Sequence, residues 1–205
     1  MPEIRSIVFD LGNVLIYWDP RNLFDENYFD SIEKRDYFLQ HICTDAWNEE
    51  QDAGQSIVEG TRKKIKEFPG WEPAIRDYYG RWTEMLNGPI IGSVEIFRQL
   101  KHSGKYKIYA LTNWNASLFE IALVRYDFLD WFDGRVVSGN EKIRKPFPES
   151  YHLLESRYGV KPAETVFIDD NLRNIKAAET LGYRCIHYTS PAQLGSELQK
   201  LGVQL

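Results

Sequence analysis

The run Ile7-Val8-Phe9 ends in a carboxylate, Asp10, and passes at once into a loop that carries Gly12 and Asn13. Apolar residues of β-branched or aromatic character favour a buried strand. In an open parallel sheet, ligands bind just beyond the carboxyl ends of such strands. The pattern therefore places Asp10 at the working edge of a sheet. Taken alone, it also fits a strand that merely closes in a polar turn residue. Recurrence separates the two readings.

Lys107-Ile108-Tyr109-Ala110-Leu111 ends in Thr112-Asn113, and Thr165-Val166-Phe167-Ile168 ends in Asp169-Asp170. Two shorter strands are expected at Arg135-Val136-Val137 and at Arg184 to Tyr188. Helices are expected between them: from Gly92 to a Gly104 C-cap, over Ala116 to Arg125, from Pro148 to Gly159, and from an Asn171 N-cap to Gly182. A last helix opens at Ser190-Pro191, with Ser as N-cap and Pro in the first turn. Strands alternating with helices pair in parallel through crossovers. The expected fold class is α/β, a doubly wound, Rossmann-like parallel sheet.

One stretch breaks the alternation. From Tyr17 to about Asn87 no buried strand is read, only helical stretches over Asp25 to His41, Asp45 to Phe68 and Glu72 to Leu86. Pro69-Gly70 and Gly88-Pro89 punctuate this region. It is expected to form a helical cap of residues 17–88 inserted after the first strand, with residues 1–16 and 89–205 as the core.

A net charge of −5, with no basic stripe, argues against nucleic-acid binding. Asp10 interrupts the first apolar run too early for a membrane span. Cys43 and Cys185 have no metal-ligand spacing and form no disulfide framework. No secretory leader is read at the start, so the cytoplasm is the expected compartment.

The chemistry lies in what the strand ends bring together. Asp10, Thr112 with Asn113, and Asp169 with Asp170 converge on one edge, with Lys145 in a neighbouring loop. Converging carboxylates repel one another and call for a cation, and oxygen ligands suit a hard ion such as Mg²⁺. Lys145 and the Thr112 hydroxyl then face an anionic group, which a phosphate fits.

Four stretches resemble the four motifs of the haloacid dehalogenase superfamily of hydrolases. They are Phe9-Asp10-Leu11-Gly12-Asn13-Val14-Leu15, Ala110-Leu111-Thr112-Asn113, Arg144-Lys145-Pro146, and Val166-Phe167-Ile168-Asp169-Asp170-Asn171 with Asn174. The Asp-Leu-Gly-Asn-Val form also resembles bacterial members that act on sugar phosphates, a glucose-1-phosphate phosphatase among them. The resemblance implies a Mg²⁺-dependent phosphatase of a small phosphorylated metabolite, in which Asp10 is the nucleophile and forms an aspartyl-phosphate. It implies Thr112 and Lys145 as phosphate binders and Asp170 as a direct metal ligand, with Asp169 behind it or reaching the metal through water. It adds the Asp10 carboxylate and the Gly12 carbonyl to the metal site, and Asn113 to the substrate site.

At one position the sequence leaves the family pattern. Most phosphatases of the family carry a second aspartate two residues after the nucleophile, as acid and base. Here Gly12 stands in its place. Either the leaving group needs little help, or another residue supplies the proton with Asp19 the first candidate, or activity is weak. A 2-haloacid dehalogenase and a catalytically weak phospho-ligand binding protein are the alternatives. Adjacent Asp169-Asp170 argues against the first, and the intact Asp10, Thr112, Lys145 and Asp170 set against the second. Trp47, near Glu49, Glu50 and Gly54, is a candidate substrate contact from a cap loop, against a reading in which it only packs the cap. Oligomeric state is not readable.

Overall fold

A computed structural model describes residues 2–205. Among the described residues there are seven strands: β1 (Ser6–Phe9), β2 (Ile16–Trp18), β3 (Leu86–Pro89), β4 (Lys107–Thr112), β5 (Gly134–Val137), β6 (Thr165–Asp169) and β7 (Arg184–His187). Five of them form a parallel sheet in the order β5-β4-β1-β6-β7. The chain first builds outward from β1 through β4 to β5, then crosses to the other side of β1 for β6 and β7. The strand order therefore reverses at β1, and the crevice of a doubly wound sheet opens beyond its carboxyl end.

Both faces of the sheet are covered, which is why its strands are almost continuously apolar. Ile7, Phe9, Ile108, Ala110, Val166 and Ile168 join one core. Val8, Tyr109, Leu111, Val136 and Phe167 join the other. The alternation within β1, β4 and β6 follows the two-residue period of a strand. The helices between strands lie close to their expected ends: Ile91–Ser103, Ala116–Arg125, Pro148–Tyr158, Leu172–Thr180 and Pro191–Lys200. Gly104 ends the first of these at φ 65°, a left-handed C-cap that glycine adopts without cost.

The region between β1 and β4 departs from expectation in two ways. It contains strands: β2 and β3 pair antiparallel, with Ile16 opposite Pro89 and Trp18 opposite Leu86. Neither is long enough to show a strand period, and Tyr17 points outward between two more protected neighbours. Its helices are also shorter. The expected helix over Asp25 to His41 breaks at Asp30, which is left-handed at φ 61°, and Ser31 caps a new helix, Ile32–Tyr37. A π-helical turn, Phe38–Ile42, follows. The expected helix over Asp45 to Phe68 divides into Asp45–Asp52 and Ile57–Glu67, with Gly54 at φ 92° and a Ser56 N-cap between them. The third helix stops at Gly80, and a 3₁₀ turn, Trp82–Met85, leads into β3.

Phe24, Phe29, Phe38, Trp71 and Tyr78 form the aromatic heart of this helical insert. Helix Asp45–Asp52 ties the insert to the core. Glu49 pairs with Arg144 at 3.0 Å and with Arg173. The Asn115 side-chain amide donates to the Gln51 carbonyl, and the Ser138 hydroxyl to the Asp52 carbonyl. Among the described residues no helix is long and apolar enough to cross a membrane.

Candidate active site

Strand register delivers the site. Phe9 lies opposite Ile168, so Asp10 falls beside Asp169, and the Asp10 amide donates to the Ile168 carbonyl at 2.8 Å. Across β4, Phe9 lies opposite Ala110, which brings Thr112 to the same edge one step further out. Beyond Asp10 the chain turns tightly. The Ile16 amide donates to the Leu11 carbonyl and the Asn13 amide to the Ile16 carbonyl. Asn13 is left-handed at φ 53°. Its side chain accepts from the Trp18 amide, joining the loop to β2.

Lys145 lies between two of the carboxylates. Its Nζ is 2.9 Å from Asp10 Oδ1 and 2.7 Å from Asp169 Oδ2, and the side chain is fully buried. The Asn113 side chain holds the Lys145 main chain with a reciprocal pair: Nδ2 donates to the Lys145 carbonyl, and Oδ1 accepts from the Lys145 amide, each at 2.9 Å. Asp169 is enclosed on all sides. Beside the lysine it accepts from the Asn171 amide, and from Asn174 Nδ2 at 3.1 Å on each oxygen. Asp170 follows it, and the ring of His187 bonds the Asp170 carbonyl.

Asp10, Asp169 and Asp170 can bring one oxygen each within 4.8 Å of one another. One lysine cannot balance three carboxylates. Burial pushes Asp10 up to about 7; Lys145 opposes this, while Asp169 and Asp170 add to it. Burial and Asp169 push Asp170 in the same direction. Burial works against the Lys145 charge, but Asp10 and Asp169 more than offset it and raise its pKa. A cluster of carboxylate oxygens with surplus negative charge fits a hard divalent cation.

Two cavities flank this centre, and Trp18 borders both. A cavity of about 720 Å³ lies on the side of Asn13 and Asp170, and its wall includes Asp19, Arg21, Gln40 and Asn87. A smaller one, about 100 Å³, is lined by Gly12, Asn48, Asp52, Trp82, Asn113 and Trp114.

The structure thus brings Asp10, Gly12, Thr112, Asn113, Lys145, Asp169 and Asp170 to one edge. It does not bring Trp47 there. That indole lies 5.2 Å from the rings of both Tyr78 and Tyr79 and lines neither flanking cavity. Its helix turns the apolar face inward, so the large ring is spent on the insert's own core. Asp19 is near the centre but engaged: its Oδ2 is 2.7 Å from Arg21, its Oδ1 caps the next turn, and its pKa is lowered by these bonds against the effect of burial. Asp52 stands at the end of a charged helix, where sequence alone cannot tell a solvated acid from one folded down against the core.

Residues 4–182 match the family model of the haloacid dehalogenase-like hydrolases, and the chain belongs to that family. It is 28% identical over 96% of its length to a sesquiterpene phosphatase of Aspergillus oryzae, spanning 96% of that protein. It is 23% identical over 95% of its length to a D-ribitol-5-phosphate phosphatase of Bacteroides thetaiotaomicron, spanning 97% of it. A family enzyme from the same bacterium, solved with magnesium and inorganic phosphate, superposes with a TM-score of 0.67 at 27% identity. That match covers 91% of this chain and 95% of the other. Within its family the chain is a phosphoric monoester hydrolase.

Proposed function

We propose that the protein is a Mg²⁺-dependent phosphatase of a small phosphorylated metabolite, a sugar phosphate above others, working through an aspartyl-phosphate on Asp10. The observation that carries this reading is the Lys145 ammonium held between Asp10 and Asp169 with Asp170 alongside, at the switch point of the sheet. Asp10 Oδ1 already accepts from Lys145 and, at 2.7 Å, from the Leu11 amide. Those two donors fix the carboxylate and leave Oδ2 to attack phosphorus. Thr112, buried at the end of β4, supplies a hydroxyl to the phosphate oxygens, and Lys145 a positive charge. The Asn113 side chain is occupied with Lys145, so its contribution to the substrate comes through its main-chain amide.

Asp10, Asp170 and the Gly12 carbonyl would hold Mg²⁺, with Asp169 orienting from behind. When bound, the ion offsets negative charge on the carboxylates and the phosphoryl oxygens. Asp169 is the poorer ligand because its oxygens are engaged by Lys145, Asn171 and Asn174. The polar wall of the larger cavity, with Asp19, Arg21, Gln40 and Asn87, favours a hydroxylated substrate over a terpenoid one. Relatives of both kinds exist, and the one named for ribitol 5-phosphate supports the polyol side.

The test is phosphate release from a panel of sugar phosphates and prenyl phosphates, with Mg²⁺ and with EDTA. Activity is expected with Mg²⁺ only. Asp10→Asn is expected to lose on the order of 10⁴-fold or more, as removal of a covalent nucleophile does elsewhere. Turnover in EDTA, or an Asp10→Asn variant within a few-fold of the parent, would refute the mechanism. A clear preference for prenyl phosphates would refute the substrate class alone.

A further inference from the structure

Transfer of a phosphoryl group to Asp10 leaves an alcohol oxygen that needs a proton, and Gly12 cannot give one. Most carboxylates near the centre are committed elsewhere. Asp169 is held by Lys145 and Asn174, Asp19 by Arg21, Asp36 by Arg35, and Glu49 by Arg144 and Arg173. Asp45 borders the larger cavity, on the Asp170 side, and not the smaller one beside Gly12. Asp52 does border the smaller one.

We propose that Asp52, carried by the helical insert, is the general acid and base of the reaction and replaces the carboxylate missing at position 12. This rests on the phosphatase reading above. Asp52 lines the smaller cavity together with Gly12 and Asn113. Its orientation is set by two donors, the Asn115 amide to Oδ1 at 3.0 Å and Asn48 Nδ2 to Oδ2 at 2.8 Å. The latter pairing comes from the same helix, the former from the loop after β4, so the carboxyl is positioned by core and insert together. The charged groups facing it are Glu49 and Arg144, and the titratable hydroxyls of Tyr78 and Tyr79 face it from the neighbouring helix of the insert. Burial, with Glu49 and against Arg144, pushes the group up to about 8, so it holds its proton at neutral pH. Trp114 lines the same cavity, and its buried indole N–H has no acceptor among the described residues. A buried donor without a partner is unfavourable, and an oxygen of the substrate would relieve it.

The proton balance closes. In the first half-reaction an Asp10 oxygen bonds to phosphorus. The bond from phosphorus to the alcohol oxygen breaks, and that oxygen takes the Asp52 proton. In the second, the Asp52 carboxylate removes a proton from water as the water oxygen bonds to phosphorus. The Asp10–phosphorus bond breaks, giving phosphate and both carboxyl groups in their starting states.

Asp52→Asn tests this with two substrates, para-nitrophenyl phosphate and a primary alkyl phosphate. The expected loss in kcat/KM is about 10²–10⁴-fold on the alkyl phosphate, the usual worth of general acid catalysis. On the aryl phosphate, whose leaving group needs almost no proton, kcat/KM is expected within about tenfold of the parent. The aryl phosphate should also give a burst of about one nitrophenol per active site, because the second half-reaction has lost its base. Gly12→Asp added to Asp52→Asn should restore part of the alkyl turnover; a Cβ built on Gly12 meets no atom within 4 Å. Equal losses on both substrates without a burst, or no loss at all, overturn the assignment.

The unaltered protein gives an independent reading should the variant not fold. Its kcat/KM for the alkyl phosphate, relative to the aryl phosphate, should fall as pH rises through about 8. A constant ratio overturns the assignment equally. Asp10→Asn separates the two failures: if it still turns over the aryl phosphate, the phosphatase reading falls. If it is inactive while Asp52→Asn matches the parent, only the role of Asp52 falls.

Discussion

The sheet edge and the helical insert are both well packed, yet different forces define them. At the edge, register decides. Once β1 pairs with β4 and β6, backbone hydrogen bonds leave Asp10 no choice of neighbours, and Asp169 must stand beside it. In the insert the short pairing of β2 with β3 sets only its two ends, and no ladder positions the helices between them. Helix ends are decided by single capping residues, and orientation by which aromatic ring fills which gap. A site built on register tolerates no relocation of its groups, whereas one built on side-chain packing can exchange one residue for another. The contrast accounts for how Gly12 could stand where an acid is usual, with a carboxylate from the insert close by.

The comparison is broken most directly at Lys145. Lys145→Met leaves Asp10 and Asp169 facing each other, buried, with no cation between them. Removing one partner of a buried ion pair costs about 3–5 kcal/mol. Denaturant unfolding should show a loss of that size, and turnover should fall by at least about 10²-fold, as when an electrostatic stabiliser is removed. Unchanged stability would mean that the two carboxylates are neutralised in some other way. Next in size is the pair Asp170→Ala and Asp169→Ala, read by Mg²⁺ titration of activity. On the proposed assignment, loss of Asp170 should weaken the metal more than loss of Asp169 behind it, which typically costs about 10–100-fold. The reverse order would exchange their roles.

The edge was legible because its signals are local and periodic. An apolar run that stops at a carboxylate states both the strand and the place where it ends, as Ile7 to Asp10 and Thr165 to Asp169 do. The helices between strands were legible for a related reason. Asn171, Ser190 and Gly104 announce their own caps, and all three cap as expected. The insert hid more. β2 and β3 are too short to carry a period, and their pairing spans the whole insert. The break at Asp30 needs a left-handed aspartate, which nothing in its neighbours requires. Trp47 has one appearance in the sequence whether it packs a core or lines a pocket. Asp52 is silent for the same reason: what makes it unusual is the distant loop at Asn115 folded onto it.

Two smaller substitutions sharpen the difference inside the insert. Trp47→Ala should destabilise by about 3–5 kcal/mol, the usual cost of deleting a buried large aromatic. Its kcat/KM, measured well below the melting transition, should stay within a few-fold of the parent, since the ring lines neither cavity beside the centre. A selective rise in KM with intact stability would return Trp47 to the substrate.

The smallest effect is expected at Asp19, and its smallness carries information. Asp19 was the natural candidate for the missing acid because it follows the first motif so closely. In the fold its carboxylate is paired with Arg21 at a partly exposed site, and its pKa lies below the usual range. Such a group is ionised at neutral pH and has no proton to give. Exposed pairs contribute about 0–1 kcal/mol, so Asp19→Asn should shift stability by no more than that. Turnover of alkyl and aryl phosphates should change together, by less than about threefold, an effect worth under 1 kcal/mol. The informative quantity is the ratio between the two substrates. A lost proton donor lowers it, and a disturbed cavity wall does not. If Asp19→Asn lowers the ratio while Asp52→Asn leaves it alone, the acid belongs to the loop after β2, and the seam between insert and core is structural only.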